Sequence, residues 1–373
     1  MKKIGTFLGV FTPTVLTILG VIMYLRLGWV VGNVGLGSTI LIVVLANAIT
    51  LITTLSFSAI ATNARVGVGG AYYMISRSLG LEFGGAIGLP LFLSQACSVT
   101  LYAFGLAESL RIVWPGVPVQ VVASVVVVGA GLLAYRGAAI ALRAQIPLMG
   151  LIAVSLIALG FGALRETPTG EAPAPAPEEA LAGNEISTGG GAEAEAPPAE
   201  AEAAPPEDAA SGAADTPDGL DDATPAPVDP EPTAASPAVE PGASGSRAPP
   251  PGFWVVFAVF FPAVTGIMAG LGLSGDLKDP MRSIPRGAIG AALVGFAIYL
   301  VVPVLLARGA SADLLRSDPL VWTKIAPGGA WLILPGLFGA ILSSAIGSVL
   351  TAPRTIQALA VDRIAPRFLA RAR

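Results

Sequence analysis

The chain has 373 residues, of which 54% are hydrophobic and 12% charged, and its mean hydropathy is +0.74. This composition excludes a soluble domain of ordinary type and predicts a membrane protein. A single cysteine excludes an intrachain disulfide, and the lack of histidine leaves no transition-metal motif. We expect neither an enzyme nor a resident cofactor, and no nucleic-acid partner.

Apolar runs of about 20 residues, the length that crosses a bilayer, recur along the chain. The first run follows Lys2 and Lys3 and continues to Val31, which is too long for a cleavable signal sequence. Eight spans are predicted, at 7–31, 38–61, 84–107, 117–135, 145–164, 253–273, 287–307 and 331–351. The Gly-rich stretch 65–83 is predicted as a connection that can partly re-enter the membrane.

Charge is distributed unevenly along the chain. Eighteen of the 25 acidic residues lie in 166–252, and the remainder of the chain is basic. With a cytoplasmic N-terminus, fourteen Lys and Arg residues fall in inside segments against six in outside segments, which favours that orientation. We therefore expect a multi-pass protein of the cell membrane, in contact with lipid.

Residues 166–252 are rich in Ala, Pro, Glu and Asp and contain no aromatic side chain. Such a segment cannot bury enough apolar surface to offset its chain entropy, so it is predicted to be disordered, on the extracytoplasmic side. The predicted organisation has four parts: helices 1–5 in 1–165, the insert in 166–252, helices 6–8 in 253–352, and a cytoplasmic tail in 353–373.

Two of the predicted spans contain helix breakers near their middle. Pro262 interrupts the sixth span and is followed at once by Thr265 and Gly266, and Gly20 lies inside the first span. A broken membrane helix leaves unpaired carbonyls and amides that protein, water or ions must satisfy, and such breaks mark substrate sites in secondary transporters. The alternatives are a Pro-kinked helix without a ligand, and a glycine that serves close packing.

Three motifs carry a resemblance to a known family. They are FAVFFPAVTGIMAG with SGDLKDP and SIPRG, VGGAYYMISRSLGLEFGGAIGL at 68–89, and LSSAIGSVLTAPRTIQALAVD at 342–362. Together they resemble the sixth helix, the loop before the third helix, and the eighth helix of the cation-chloride cotransporters, in particular the sodium-potassium-chloride branch. The likeness covers about 1–164 and 253–373.

The resemblance implies an all-α membrane protein of LeuT-like architecture, in which helices 1–5 and 6–10 form inverted repeats. Only three helices of the second repeat are predicted here, so we expect a chain truncated after the eighth transmembrane helix. The resemblance also allows a homodimer.

The first-helix break predicts cation ligands, because unwinding exposes the carbonyls of residues 16–19. By resemblance, potassium would be bound by carbonyls, one hydroxyl and one phenol, from Thr17, Ile18, Pro262, Thr265 and Tyr102. Sodium would be bound by carbonyls and the two serine hydroxyls of Leu16, Leu19, Ala340, Ser343 and Ser344. Serines in a membrane helix also bond their own i−4 carbonyls, so the serine pair alone is weak evidence.

The amides that follow each break predict anion sites, since the start of a helix carries partial positive charge. By resemblance, one chloride would bind Gly20, Val21 and Ile22, and a second would bind Gly266, Ile267 and Met268. One sodium, one potassium and two chlorides carry no net charge. No buried carboxylate is then needed, and none lies in the middle of the first, third, sixth or eighth span.

A charged pair is predicted on the outer side of the breaks. Arg26 lies six residues beyond Gly20, and Glu108 lies six residues beyond Tyr102, so both reach about 9 Å outward from the site. The matching residues of the family close the outer vestibule, and we predict the same gate here. The alternative is that Arg26 extends to lipid headgroups and Glu108 is solvated.

The sequence thus predicts an electroneutral symporter that transports chloride with sodium and potassium as inorganic substrates. Two alternatives stay open. One is an amino-acid permease of the same fold, although TILGVIM offers one glycine where permeases have a Gly-rich break. The other is a non-transporting fragment or partner subunit.

Overall fold

The computed structural model describes residues 3–63, 66–165 and 251–371. The predicted disordered insert, apart from its last two residues, lies outside the described residues. The described part of the chain is helical, and the one β-bridge within it joins Ile4 to Leu277 in parallel. These findings confirm the all-α fold class.

Thirteen α-helices, supplemented by short π- and 3₁₀-segments, make up the described residues. The α-helices are α1 Thr12–Ile18, α2 Val21–Leu25, α3 Leu27–Asn63, α4 Ala71–Leu79, α5 Leu81–Val113, α6 Val119–Tyr135, α7 Ala138–Arg165, α8 Phe253–Phe260, α9 Met268–Leu271, α10 Pro280–Gly309, α11 Ala312–Ser317, α12 Val321–Ile325 and α13 Ala330–Val361. A π-helix covers Phe7–Phe11, and 3₁₀-turns cover Phe261–Val264, Ser274–Asp276 and Arg367–Arg371.

Seven stretches within the described residues are long and apolar enough to cross a membrane, and they make this a multi-pass membrane protein. They are Phe7–Leu25, Leu27–Asn63, Leu81–Arg111, Ala138–Arg165, Phe253–Asp276, Pro280–Gly309 and Ala330–Val361. The predicted fourth span corresponds to α6, which has 17 residues and is about 26 Å long, shorter than a hydrocarbon core of about 30 Å. The predicted last span extends in one helix to Val361, ten residues beyond its expected end.

The two spans predicted at 7–31 and 38–61 are separated by a kink inside α3. Gly35 has φ 72° and ψ 171°, a conformation that L side chains rarely adopt, and a Cβ there would meet nothing within 4 Å. The kink falls between the predicted spans 7–31 and 38–61. Backbone conformation at Gly35, and not a side-chain contact, therefore turns the chain from the first span into the second.

The Gly-rich connection before the third span contains α4, which is joined through residues of both its halves to the C-terminal end of α13. The Tyr72 hydroxyl donates to Asp362 at 2.8 Å, and Arg77 forms a salt bridge with the same carboxylate at 2.7 Å. Burial, followed by the Asp362 hydrogen bond, raises the pKa of Tyr72, and the hydrogen bond to Asp362 raises the pKa of Arg77. The predicted connection is thus an ordered helix.

The N-terminal segment is held against the end of the sixth span. The Ile4 amide donates to the Asp276 carbonyl, and the Lys278 amide donates to the Ile4 carbonyl, at 3.0 and 2.9 Å. Asp276 also accepts a hydrogen bond from the Nε of Arg354 on α13, at 3.1 Å. We call Ile4, Asp276 and Arg354 the basal cluster. It links the first, sixth and eighth spans at the end of the bundle that carries the N-terminus.

The main hydrophobic core surrounds the two predicted breaks. Leu16, Ile18 and Met23 of the first span, Phe260 of the sixth and Tyr299 of α10 are all fully buried in one cluster. Helices α1 and α2 therefore pack inside the bundle rather than at its surface.

Candidate functional site

The first span is broken at Leu19 and Gly20. Helix α1 ends at Ile18, and Leu19 has φ −81° and ψ 43°, outside the helical region. Gly20 is extended, with φ −80° and ψ −168°, and α2 begins at Val21. The predicted break near Gly20 is therefore present in the backbone.

The break leaves both kinds of backbone group unpaired. Among the described residues, no backbone carbonyl accepts the amides of Gly20, Val21 and Ile22. No backbone amide donates to the carbonyls on the other side of the break, which are those of Leu16, Thr17, Ile18 and Leu19. Each of these seven groups was predicted as an ion ligand, so the break brings together a row of carbonyls without backbone donors and a row of amides without backbone acceptors.

The sixth span is broken in the same way. Helix α8 ends at Phe260, a 3₁₀-turn carries the chain through Pro262, and α9 begins at Met268. Within the described part of the chain, the amides of Gly266, Ile267 and Met268 donate to no backbone carbonyl. A second group of free donors thus begins directly after Thr265.

The two breaks are in contact. A Cβ on Gly266 would lie 2.7 Å from the Ile18 nitrogen and 2.9 Å from the Thr17 carbonyl carbon. Both distances are shorter than side chains tolerate, so only glycine lets the sixth span approach the first-span backbone this closely. The backbone groups without backbone partners in the two spans therefore lie next to each other.

The structure brings some of the predicted potassium ligands together. The Thr265 hydroxyl donates to the Pro262 carbonyl at 2.8 Å, and both residues are exposed although they lie mid-span. The Thr17 hydroxyl donates back to the Pro13 carbonyl at 2.7 Å, so its own carbonyl is the group left for an ion. Tyr102 is half-buried on α5 and packs against the main core.

The predicted sodium ligands on α13 converge on one carbonyl. Ser343 and Ser344 are buried, and their hydroxyls donate to the Ala340 carbonyl at 2.9 and 3.0 Å. This is the local bonding anticipated as the alternative. Each serine oxygen keeps lone pairs for a cation, and a Cβ on Gly20 would lie 3.9 Å from the Ser344 hydroxyl oxygen. The serine pair therefore lies beside the first-span break.

The predicted outer gate is not formed in this structure. Arg26 and Glu108 are both exposed, and among the described residues no salt bridge or hydrogen bond joins them. At the opposite end of the helix bundle, the residues of the basal cluster are hydrogen-bonded to one another. The pairing of Arg26 with Glu108 stays a prediction for a state in which the outer side closes.

Two buried polar residues next to the site were not predicted. The Tyr299 hydroxyl on α10 donates to the Ile18 carbonyl at 2.8 Å. The Gln145 amide on α7 donates to the Ser343 carbonyl at 3.3 Å, and its Oε1 has no partner among the described residues. The sequence shows each of them only as a polar side chain within a long apolar helix. That pattern does not indicate which residue the side chain contacts.

Comparison with known proteins places this geometry in a family. The model of the amino acid permease family matches residues 9–188 and 228–373, well over half of the chain. The chain belongs to the amino acid permease family. The all-α, LeuT-like fold with broken first and sixth helices is in keeping with that assignment.

Within the amino acid permease family, the chain is similar to members of solute carrier family 12. It is 32% identical to member 9 of Danio rerio, over 97% of this chain and 38% of that protein. Member 8 of Mus musculus is 31% identical, over 97% of this chain and 43% of that protein. Member 1 of Mus musculus is 30% identical, over 97% of this chain and 32% of that protein.

These relatives confirm the resemblance to cation-chloride cotransporters at the level of the family. Members 9, 8 and 1 match with nearly equal identity, so the comparison does not single out the predicted sodium-potassium-chloride branch. The chain spans about a third to two fifths of the length of these relatives.

Proposed function

We propose that the chain forms the ion-binding core of a secondary active transporter that moves chloride with sodium and potassium, without net charge. The observation that carries the proposal is the set of backbone groups at the two contacting breaks that have no backbone partner among the described residues. Free carbonyls on one side suit cations, and free amides at two helix starts suit anions. Lipid satisfies neither kind of group, so the site needs polar occupants.

In this proposal the two cations bind on either side of the first-span break. Potassium takes the carbonyls of Thr17, Ile18 and Pro262, with the hydroxyls of Thr265 and Tyr102. Sodium takes the carbonyls of Leu16, Leu19 and Ala340, with the hydroxyls of Ser343 and Ser344. Both serine hydroxyls lie within 3.0 Å of the Ala340 carbonyl oxygen on α13, which supports the second assignment.

The two chlorides bind the free amides. One lies on Gly20–Ile22 and the other on Gly266–Met268. Four ions of cancelling charge need no neutralising side chain, and this agrees with where the acidic residues are. In the described ranges they lie at helix ends and in connections, at Glu82, Glu108, Asp276, Asp279, Asp313, Asp318 and Asp362.

Flux measurements test the proposal directly. The purified chain is reconstituted into liposomes, and uptake of radioactive chloride is measured with sodium, potassium, both or neither outside. We expect uptake only with both cations, and no change when a potassium ionophore clamps the membrane potential. Chloride uptake that is independent of cations, or that generates a current, contradicts the proposal.

A second candidate is transport of an amino acid, which the name of the matching family model favours. The free amides of Gly266–Met268 can receive a substrate carboxylate as well as a chloride. The same liposomes are tested with a mixture of radioactive amino acids. Amino-acid uptake without chloride uptake supports this candidate, and uptake of neither supports a non-transporting fragment or partner subunit.

The proposal includes location in the cell membrane with a cytoplasmic N-terminus, which the asymmetry of basic residues supports. Single cysteines introduced at Lys3 and Gly116, in a background with Cys97→Ser, test this orientation. A membrane-impermeant thiol reagent applied to intact cells is expected to label the cysteine at 116 alone. Labelling of the cysteine at 3 reverses the orientation.

A further inference from the structure

Tyr299 is a fully buried residue of α10 that reaches the first-span break. Its hydroxyl donates to the Ile18 carbonyl at 2.8 Å, across 281 positions of sequence. Its ring meets Phe260 edge to face, with centroids 5.3 Å apart and planes at 88°. Tyr299 therefore contacts the first span at its break and the sixth span just before its break.

The close approach of α10 to the first-span break depends on a glycine. One turn before Tyr299, a Cβ on Gly295 would lie 2.5 Å from the Ile18 side chain, so glycine is needed for this contact. A buried tyrosine hydroxyl requires a partner, and here that partner is one of the four carbonyls that α1 leaves without a backbone donor. Within the described structure, the Tyr299 hydroxyl thus donates its hydrogen bond to a carbonyl of the candidate site.

The hydrogen bond leaves the carbonyl able to bind an ion. A carbonyl oxygen has two lone pairs, and the Tyr299 hydroxyl uses one of them. The remaining lone pair of Ile18 is free, while the hydroxyl restricts the direction in which the oxygen points. Because the ring is packed against Phe260, it cannot follow a rotation of the Ile18 peptide without losing that contact.

We propose that Tyr299 is a positioning residue that holds the Ile18 carbonyl in the direction required by the potassium ion. The inference rests on the proposed function, since it assigns a role within that cation site. A ligand that is oriented before the ion arrives pays less ordering free energy on binding. Removal of the hydroxyl should therefore weaken binding of potassium or its congener rubidium, while the sodium and chloride ligands remain as they are.

The experiment compares Tyr299→Phe with the wild-type chain, both purified in detergent. Binding of radioactive rubidium, sodium and chloride is measured separately by scintillation proximity. A lost hydrogen bond of ordinary strength predicts about three- to tenfold weaker rubidium binding, and less than about twofold change for sodium and chloride. Phenylalanine keeps the ring contact with Phe260, and retained sodium and chloride binding shows that the variant is folded.

Tyr24→Phe is the matched control. Tyr24 is also buried, but its hydroxyl is hydrogen-bonded to Ser155 on α7 and not to a carbonyl of the first-span break. Its variant is expected to bind rubidium as the wild type does. Equal or tighter rubidium binding by Tyr299→Phe overturns the inference, as does an equal loss in the control. A wild-type chain that binds no rubidium rejects the proposed cation site, and the inference with it.

Discussion

A methyl group added at Gly266 should disrupt the site without altering any side chain that binds an ion. The Cβ of Gly266→Ala would lie 2.7 Å from the Ile18 nitrogen, against about 3.4 Å for an ordinary contact. The two breaks must therefore separate by about 0.7 Å, or the backbone must distort locally. Because both neighbouring atoms belong to the backbone, neither can rotate away.

The magnitude follows from overpacking. An extra methyl in a well-packed interior costs about 1–3 kcal/mol. If the methyl group displaces the backbone groups that bind ions, this free energy is lost from binding, and chloride and rubidium binding should weaken by about 5- to 150-fold. If the added methyl group lowers only the stability of the fold, the melting temperature drops and ion affinity is unchanged. The two outcomes are separated by measuring both quantities on the same preparation.

The assay is thermal melting in detergent, with and without saturating chloride and rubidium, combined with direct ion binding. Gly105→Ala is the neutral control, because a Cβ there meets nothing within 4 Å. Gly162→Ala is the overpacked control, because its Cβ would collide with the Ile325 carbonyl, in a contact between α7 and α12. We expect Gly162→Ala to melt earlier and bind ions normally. Wild-type ion affinity in Gly266→Ala would refute the conclusion that the touching breaks form the site.

Three further outcomes are expected. Replacing Ser343 and Ser344 together by alanine should abolish the sodium dependence of chloride uptake, because it removes both hydroxyl ligands, and unchanged dependence rejects the sodium assignment. Arg26→Glu should impair transport and Glu108→Arg added to it should restore part, whereas a double swap no better than the worse single variant removes the support for pairing. Asp276→Asn should lower the unfolding free energy by roughly 0.5–1 kcal/mol, since it weakens a partly exposed ion pair, and an unchanged melting temperature contradicts this.

The two breaks could be predicted from sequence because their causes are local. Pro262 removes a backbone donor wherever it lies, and Gly266 allows a close backbone contact that a larger residue does not. The groups left unpaired then follow from the geometry of a helix end. This is why the carbonyls of residues 16–19 and the amides of residues 20–22, which the sequence pattern indicated, have no backbone partner within the described ranges.

The polar contacts around the breaks could not be predicted in the same way. The Tyr299 and Ile18 bond joins residues 281 positions apart, and no local pattern shows which face of α10 will meet the first span. The Arg26 and Glu108 prediction had the same weakness. Rise per residue gives the depth of a side chain along a helix, but not its lateral distance from a side chain on another helix.

The basal cluster makes the N-terminus a natural place to attach a reporter. Ile4 is paired through its backbone with the segment that follows the second half of the sixth span, so movement of that half must pull on the first residues of the chain. A disulfide between cysteines introduced at Ile4 and Leu277 would lock this end shut under oxidising conditions and release it under reducing ones. A spin label or fluorophore in the same place would report each opening directly. By the same reasoning, an affinity tag fused close to Ile4 is expected to perturb the cycle.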